Sequence, residues 1–310
     1  MAQQYGNYEL IERIARGGMA EVFKARMKGA AGFEKLVALK MLHAHLAEDA
    51  EMVASLKDEA RLVSNMLHPN ICQVLYFEKI GDRYCITMEY IHGRDVATIM
   101  RTLRKTGQKM PLEFALYIIR QTLTGLDYAH RMTDPTTNTP LNIIHRDISP
   151  QNVLVDRSGT VKVCDFGIAT GPWREERTRT GIVKGKVGYM APEQAAGSRV
   201  GPQADLYSVG LLLVAMLEGS HPFEGSDTEE IRRKARQGLD PDRLARLPGG
   251  EALREVITTA LAPRPKDRFP TAEAMRRALR EAVPDREEQG VRQLVQIGRA
   301  SCRERVLYTV

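Results

Sequence analysis

Through the first hundred residues, short apolar runs are broken by glycine, proline and small polar residues, the pattern of strands joined by turns. Residues 8–15 and 22–27 flank a glycine pair, Gly17-Gly18, and a third strand is expected over 36–41. The period then changes. Met52, Leu56, Ala60, Val63 and Leu67 recur at three- and four-residue spacing, which lines them along one face of a helix. His68-Pro69-Asn70 stops that helix, because proline disfavours a helical conformation in the residue before it. Two further strands, 72–77 and 84–88, meet at a Gly81-Asp82 turn.

Beyond Pro111 the helical period dominates. Leu112, Ala115, Ile119, Leu123 and Leu126 mark an amphipathic helix with proline near its start. A polar loop over 132–142 leads to short strands expected at 143–144, 153–155 and 161–163, and helices follow over 205–217, 228–237, 251–261 and 271–282. The pattern predicts an α+β chain with two lobes joined near 89–93. A small strand-rich lobe with one main helix occupies about 8–90, and a larger, mainly helical lobe about 94–283.

Composition narrows the classes. A chain of 310 residues with 43% hydrophobic side chains builds a large core without disulfides or a structural metal. The net charge of +6 arises from 45 basic residues interleaved with 39 acidic ones, a mixed solvated surface rather than a nucleic-acid-binding block. Cys72, Cys85, Cys164 and Cys302 form no CxxC pair, which argues against zinc and disulfides and fits a reducing, cytoplasmic setting. The longest apolar run, 206–217, is too short to span a bilayer, so no membrane contact is expected from this fragment. His43-Ala44-His45 is read as a solvated or capping pair, since a spacing of two does not share a helix face. Residues 284–296 are expected to be a linker or the start of a downstream region that could anchor the intact protein to a membrane. The stretch 297–306 resembles translated adapter sequence, so 297–310 are read as a non-native tail.

Phosphoryl transfer asks for a cover over the phosphates, a cation on them, hard oxygen ligands for a metal and a carboxylate to orient the hydroxyl nucleophile. The chain supplies, in order, Gly17-Gly18, Lys40 in Val37-Ala38-Leu39-Lys40, Glu59, His145-Arg146-Asp147, Asn152, Asp165-Phe166-Gly167 and Ala191-Pro192-Glu193. Each piece alone is weak; their joint order is not. The series resembles the motif set of protein kinases and, more narrowly, the eukaryotic-like bacterial serine/threonine kinases, over residues 8–283.

That resemblance implies an antiparallel order for the small sheet, and it implies roles. Lys40 would hold the α- and β-phosphates of ATP and pair with Glu59. Ala15, Gly17 and Gly18 would cover the phosphates, Val22 and Ala38 would roof the adenine and Leu154 would floor it. Met88 would be the gatekeeper, and Glu89, Tyr90 and Ile91 would offer backbone hydrogen bonds to the base. Asp147 is the implied catalytic base; Asn152 and Asp165 are the implied ligands for Mg²⁺, with Mn²⁺ as an alternative ion. His145 and Phe166 would pack, Glu193 would pair with Arg268, and Asp205 would brace the catalytic loop.

The chain departs from the family pattern in three places. Ala15 and Ala20 replace the first and third glycines of the phosphate loop, which stiffens it, and Gly17 alone keeps its place. Ser149 stands where most serine/threonine kinases carry lysine, and Lys186 where they carry threonine. The last two departures are complementary, so Lys186 is expected to supply the missing cation and Ser149 the missing hydroxyl. Thr178 and Thr180 lie in an arginine-rich stretch, and phosphorylation of either would offer a partner for Arg146. The rival readings are a pseudokinase scaffold, a small-molecule kinase and a tyrosine kinase. The last is disfavoured because the catalytic loop lacks that class's arginine-alanine pattern.

Overall fold

The computed structural model describes residues 3–18, 20–44, 50–166, 188–223, 230, 233–234 and 239–284, with the side chains of residues 50–52, 55, 58, 59 and 241 outside that description. The described residues through Ile91 form one compact unit and those from His92 onward form another.

The first unit is a six-stranded antiparallel sheet. Its strands are β1 (Gln3–Tyr5), β2 (Tyr8–Arg16), β3 (Ala20–Lys28), β4 (Glu34–Leu42), β5 (Val74–Ile80) and β6 (Arg83–Glu89), ordered β1-β2-β3-β4-β6-β5. The sheet curls far enough for Tyr5 Oη on the first edge strand to donate to Ile80 O on the last, at 2.7 Å. Register shifts in β2, between Leu10 and Glu12 and between Arg13 and Ala15, sharpen the bend. Alternation sends Val37, Leu39 and Met41 to one face, where they pack with Tyr8, Leu10, Ala25 and Cys85. Burial pushes the Cys85 thiol up to about 12, so it behaves as a small hydrophobe. Tyr8 Oη bonds to Glu78 and, at 2.9 Å, to Thr87 Oγ1; burial first, then the Glu78 carboxylate, raise its pKa.

Helix α1 (Ala50–Ser64) buries Leu56, Ala60 and Val63. It stops before the expected Leu67, and one of its last carbonyls is served by local side chains: Ser64 Oγ and Asn65 Nδ2 both donate to Arg61 O. Leu67 is 73% exposed. The strand expected over 72–77 begins later, at Val74, and runs to Ile80.

The second unit is built on α2 (Val96–Lys105), α3 (Leu112–His130), α4 (Pro192–Ala195), α5 (Gln203–Glu218), α6 (Pro241–Ala245), α7 (Gly250–Ala260) and α8 (Ala272–Ala282). Helix α5 is buried all round from Ala204 to Leu217, as its continuous apolar sequence requires, and ends on Gly219 in the left-handed conformation (φ 73°). Asp95 caps α2 through Thr98 N, and Thr271 caps α8 through Ala274 N. A three-stranded sheet of β7 (Gly93–Asp95), β8 (Val153–Asp156) and β9 (Val161–Val163) completes the unit. Gly93 is required there, since a Cβ would overlap Val155 O and the Asp156 backbone.

No strand forms at 143–144; those residues run straight into the catalytic-loop sequence, where backbone groups bond to side chains instead of to a ladder. β1, α2 and β7 were not expected from the pattern. The helix expected over 228–237 lies mostly outside the described residues.

Candidate active site

In the first unit the sheet register gathers the predicted nucleotide-facing residues. Lys40 on β4 pairs with Val22 on β3 and Ile86 on β6, and Ala38 pairs with Lys24 and Met88. Directly opposed residues of antiparallel strands share a face, so Val22, Ala38, Lys40 and Met88 lie together opposite the apolar cluster. Ala15 pairs with Val22 and therefore sits inside the ladder rather than in a loop. Gly17 N donates to Ala20 O at 2.8 Å, closing a tight turn, and His43 Nε2 contacts Gly17 O at 3.0 Å. Glu89 N donates to Gln73 O at 2.9 Å and Glu89 Oε1 accepts from Gln73 N, which anchors the strand end leading to Tyr90 and Ile91. Glu59 belongs to α1, but its side chain is outside the described residues.

In the second unit the catalytic-loop sequence is held from several sides. Asp205, at the start of α5, is fully buried. Its carboxylate accepts from His145 N and Arg146 N, each at 2.8 Å, and from His130 Nε2 at 2.8 Å. Burial alone would raise that carboxyl; the His130 hydrogen bond and charge, with the donors from the loop, outweigh it and hold it low. The brace lets Arg146 adopt φ 62°, a conformation uncommon outside glycine. Gln194 Nε2 adds a bond to Arg146 O at 2.6 Å.

His145 is also fully buried. Its Nδ1 accepts from Asp147 N at 3.2 Å, which leaves Nε2 to donate to Cys164 O at 2.9 Å. This fixes the neutral Nε2–H tautomer, and burial lowers the imidazole pKa despite the nearby carboxylates. Phe166 packs on the same ring, with centroids 4.6 Å apart. Asn152 Nδ2 donates to Asp147 O at 2.7 Å and to Asp147 Oδ2 at 3.1 Å. The amide thus ties the carboxylate to its own loop and leaves Asn152 Oδ1 as a hard oxygen donor. Asp165, at φ 59°, follows Cys164, whose N–H donates to Asn152 O at 2.8 Å. Asn152 and Asp165 therefore sit on segments bonded to each other, and their oxygen donors suit Mg²⁺. Leu154 lies on β8.

Around the loop, Ser149 joins His130 Nδ1 and Gln194 Oε1 in holding a buried polar atom without a hydrogen-bond partner among the described residues. Ser149 itself is fully buried. Gly167, Thr178, Thr180 and Lys186 lie outside those residues, as do Gly18's neighbour Met19 and His45.

Behind the loop, Arg268 closes on Glu193. Both guanidinium Nη atoms meet the carboxylate at 2.8 Å, and the remaining donors reach Ala262 O, Gln203 O and Pro263 O. All five N–H groups of the arginine are thereby matched, and its guanidinium stacks 4.7 Å from the Tyr207 ring. His130 and Gln194 were not singled out from the sequence. Neither sits in a motif that marks it, though Gln194 directly follows Ala191-Pro192-Glu193.

A curled antiparallel sheet, a helical unit built on a buried central helix and this braced loop together define a protein kinase domain. The chain belongs to the protein kinase domain family, which it matches over residues 8–279. It is 41% identical over 272 residues to a protein named tyrosine-protein kinase MasK from Myxococcus xanthus, covering 87% of this chain and 42% of that one. It is 34% identical over 267 residues to serine/threonine-protein kinase PrkC of Bacillus subtilis, covering 86% and 39%. Among solved structures, the kinase domain of Mycobacterium tuberculosis PknI aligns with a TM-score of 0.68 at 26% identity, over 91% of this chain and 98% of that one. The chain spans about two fifths of the length of these curated relatives. No helix among the described residues is long and apolar enough to cross a membrane.

Proposed function

We propose that the chain transfers the γ-phosphate of ATP to serine and threonine hydroxyls of protein substrates, with Asp147 as the base. The observation that carries this reading is the constraint on Asp147. Its carboxylate is tethered by Asn152 Nδ2, and its backbone by the buried His145, on a loop braced by Asp205. A carboxylate so oriented accepts the substrate hydroxyl's proton as the oxygen attacks phosphorus.

Lys40 would bind the α- and β-phosphates with Glu59 as its partner. Ala15, Gly17, Gly18, Val22, Ala38, Met88, Glu89, Ile91 and Leu154 would enclose the nucleotide. Asn152 and Asp165 would hold Mg²⁺ or Mn²⁺, which neutralises phosphate charge when bound with ATP. The orphaned Ser149 hydroxyl supports an exchange of roles with Lys186, since a buried hydroxyl without a partner costs stability unless something outside the described residues completes it. Autophosphorylation at Thr178 or Thr180, paired to Arg146, would order the activation segment.

One observation favours a second reading: the MasK relative carries the name of a tyrosine kinase. The test is acid hydrolysis of protein substrates phosphorylated from labelled ATP·Mg²⁺, followed by separation of the phosphoamino acids. Phosphoserine and phosphothreonine are expected. Phosphotyrosine as the dominant product would replace this reading with the tyrosine-kinase one.

A further inference from the structure

The spacing of His43-Ala44-His45 predicts a solvated or capping pair, yet His43 is half-buried and engaged. It follows directly on β4, whose last residue, Leu42, pairs with Ala20 at the start of β3. His43 Nε2 lies 3.0 Å from Gly17 O; a carbonyl only accepts, so the ring nitrogen donates. Strands β2 and β3 stay paired as far as Arg16 and Glu21, and Gly17 N closes the connection by donating to Ala20 O at 2.8 Å. The turn between the two strands thus spans only residues 17–20. Among the described residues, His43 is the only side chain that bonds to it.

A bond at that place fixes an orientation. The peptide joining Gly17 to Gly18 is planar and trans, so its C=O and N–H point opposite ways. By holding the carbonyl, His43 turns Gly18 N–H away from itself, and that N–H makes no hydrogen bond among the described residues. Two successive glycines leave the peptide many orientations unless a neighbour selects one. The far end of the same strand pair is held by other groups: Lys24 Nζ lies 3.3 Å from Glu12 Oε1 and 5.2 Å from the centre of the Tyr90 ring. His43 therefore acts on the turn alone. It also stands three residues after Lys40, on the chain segment that β4 delivers to the turn.

We infer that His43 is a positioning residue for phosphate binding. It holds the Gly17–Gly18 peptide so that Gly18 N–H is presented to the phosphates of ATP, and it sets the turn against the strand that carries Lys40. A backbone N–H fixed in this way serves as a ready partial positive charge for an anion. The inference rests on the nucleotide-binding part of the reading above and is independent of whether phosphate is transferred.

Calorimetric titration of the full chain with ATP·Mg²⁺ and, separately, with adenosine tests it, because adenosine has no phosphates for the turn to meet. His43→Ala is expected to weaken ATP·Mg²⁺ binding about fivefold, the scale of one hydrogen bond, and to leave adenosine affinity unchanged. His43→Gln, whose side-chain amide offers an N–H at a similar reach, is expected to recover most of the loss. Three results would each overturn the inference while leaving nucleotide binding in place. These are parental ATP·Mg²⁺ affinity in His43→Ala, an equal loss for ATP and adenosine, and a His43→Gln chain no better than His43→Ala. A parent chain that binds neither ligand removes the nucleotide reading itself, and this inference with it.

Discussion

His145 illustrates how one buried side chain converts pH into stability. Its folded imidazole is neutral and its pKa is lowered, burial being the first cause. The unfolded imidazole titrates near its ordinary value of about 6.5. Its contribution is therefore complete above that value and is lost as pH falls below it, because only the unfolded chain takes up the proton. The slope for one such group is at most about 1.4 kcal/mol per pH unit. Asp205, whose pKa is also lowered, loses its contribution only at pH values below the ordinary carboxylate range, so it does not confound the window from pH 7 to 5. Urea midpoints of the parent are expected to drop across that window, and those of His145→Phe, which keeps a ring against Phe166, to drop less. Equal slopes would remove His145 from the account. At Ser149 the expectation is kinetic. Lys186→Thr alone should lower transfer at least about 100-fold, the scale of removing one preorganised charge from a transition state. Lys186→Thr with Ser149→Lys should recover part of the loss. A Lys186→Ala chain with parental kcat would end the exchange of roles.

Among the elements, α5 matters most, because its first turn holds the loop that carries Asp147. Asp205→Ala leaves two backbone N–H groups and His130 without their shared acceptor in a fully buried place. Removing one partner from such a site costs about 3–5 kcal/mol, to be read from the denaturant midpoint. Arg268→Lys keeps the charge but loses the fork that serves Glu193 and three carbonyls, so a loss of about 3 kcal/mol is expected there too. A change under about 0.5 kcal/mol in either, the scale of an ordinary surface substitution, would contradict the picture of a rigid brace. Asp205, Glu193 and Arg268 were legible in the sequence because they stand in or beside recognisable short motifs. The strands with clear alternation were legible for the same local reason. β1 and β7 were not: each is three residues long and exists only through its partner strand, β7 through the close approach of Gly93 to β8. α2 was hidden because only Val96, Ile99 and Leu103 are buried on it, in an otherwise polar stretch. His130 supports the loop only through Asp205, 75 residues away in sequence, a separation no motif spans.

At the scale of the whole molecule, the family match over residues 8–279 accounts for nearly all described structure. The substrate remains a property of surfaces that vary among kinases of one fold. On the reading proposed above, the loop centred on Asp147 performs phosphoryl transfer and is not a relic kept for binding. The most direct measurement is transfer from labelled ATP·Mg²⁺ to a basic acceptor protein by the parent chain and by Asp147→Asn, side by side with ATP affinity. Asp147→Asn is expected to bind ATP with parental affinity and to transfer phosphate about 10²–10⁴-fold more slowly, the range for removing a general base. Equal transfer by both chains, or ATP binding without transfer by the parent, would contradict that reading.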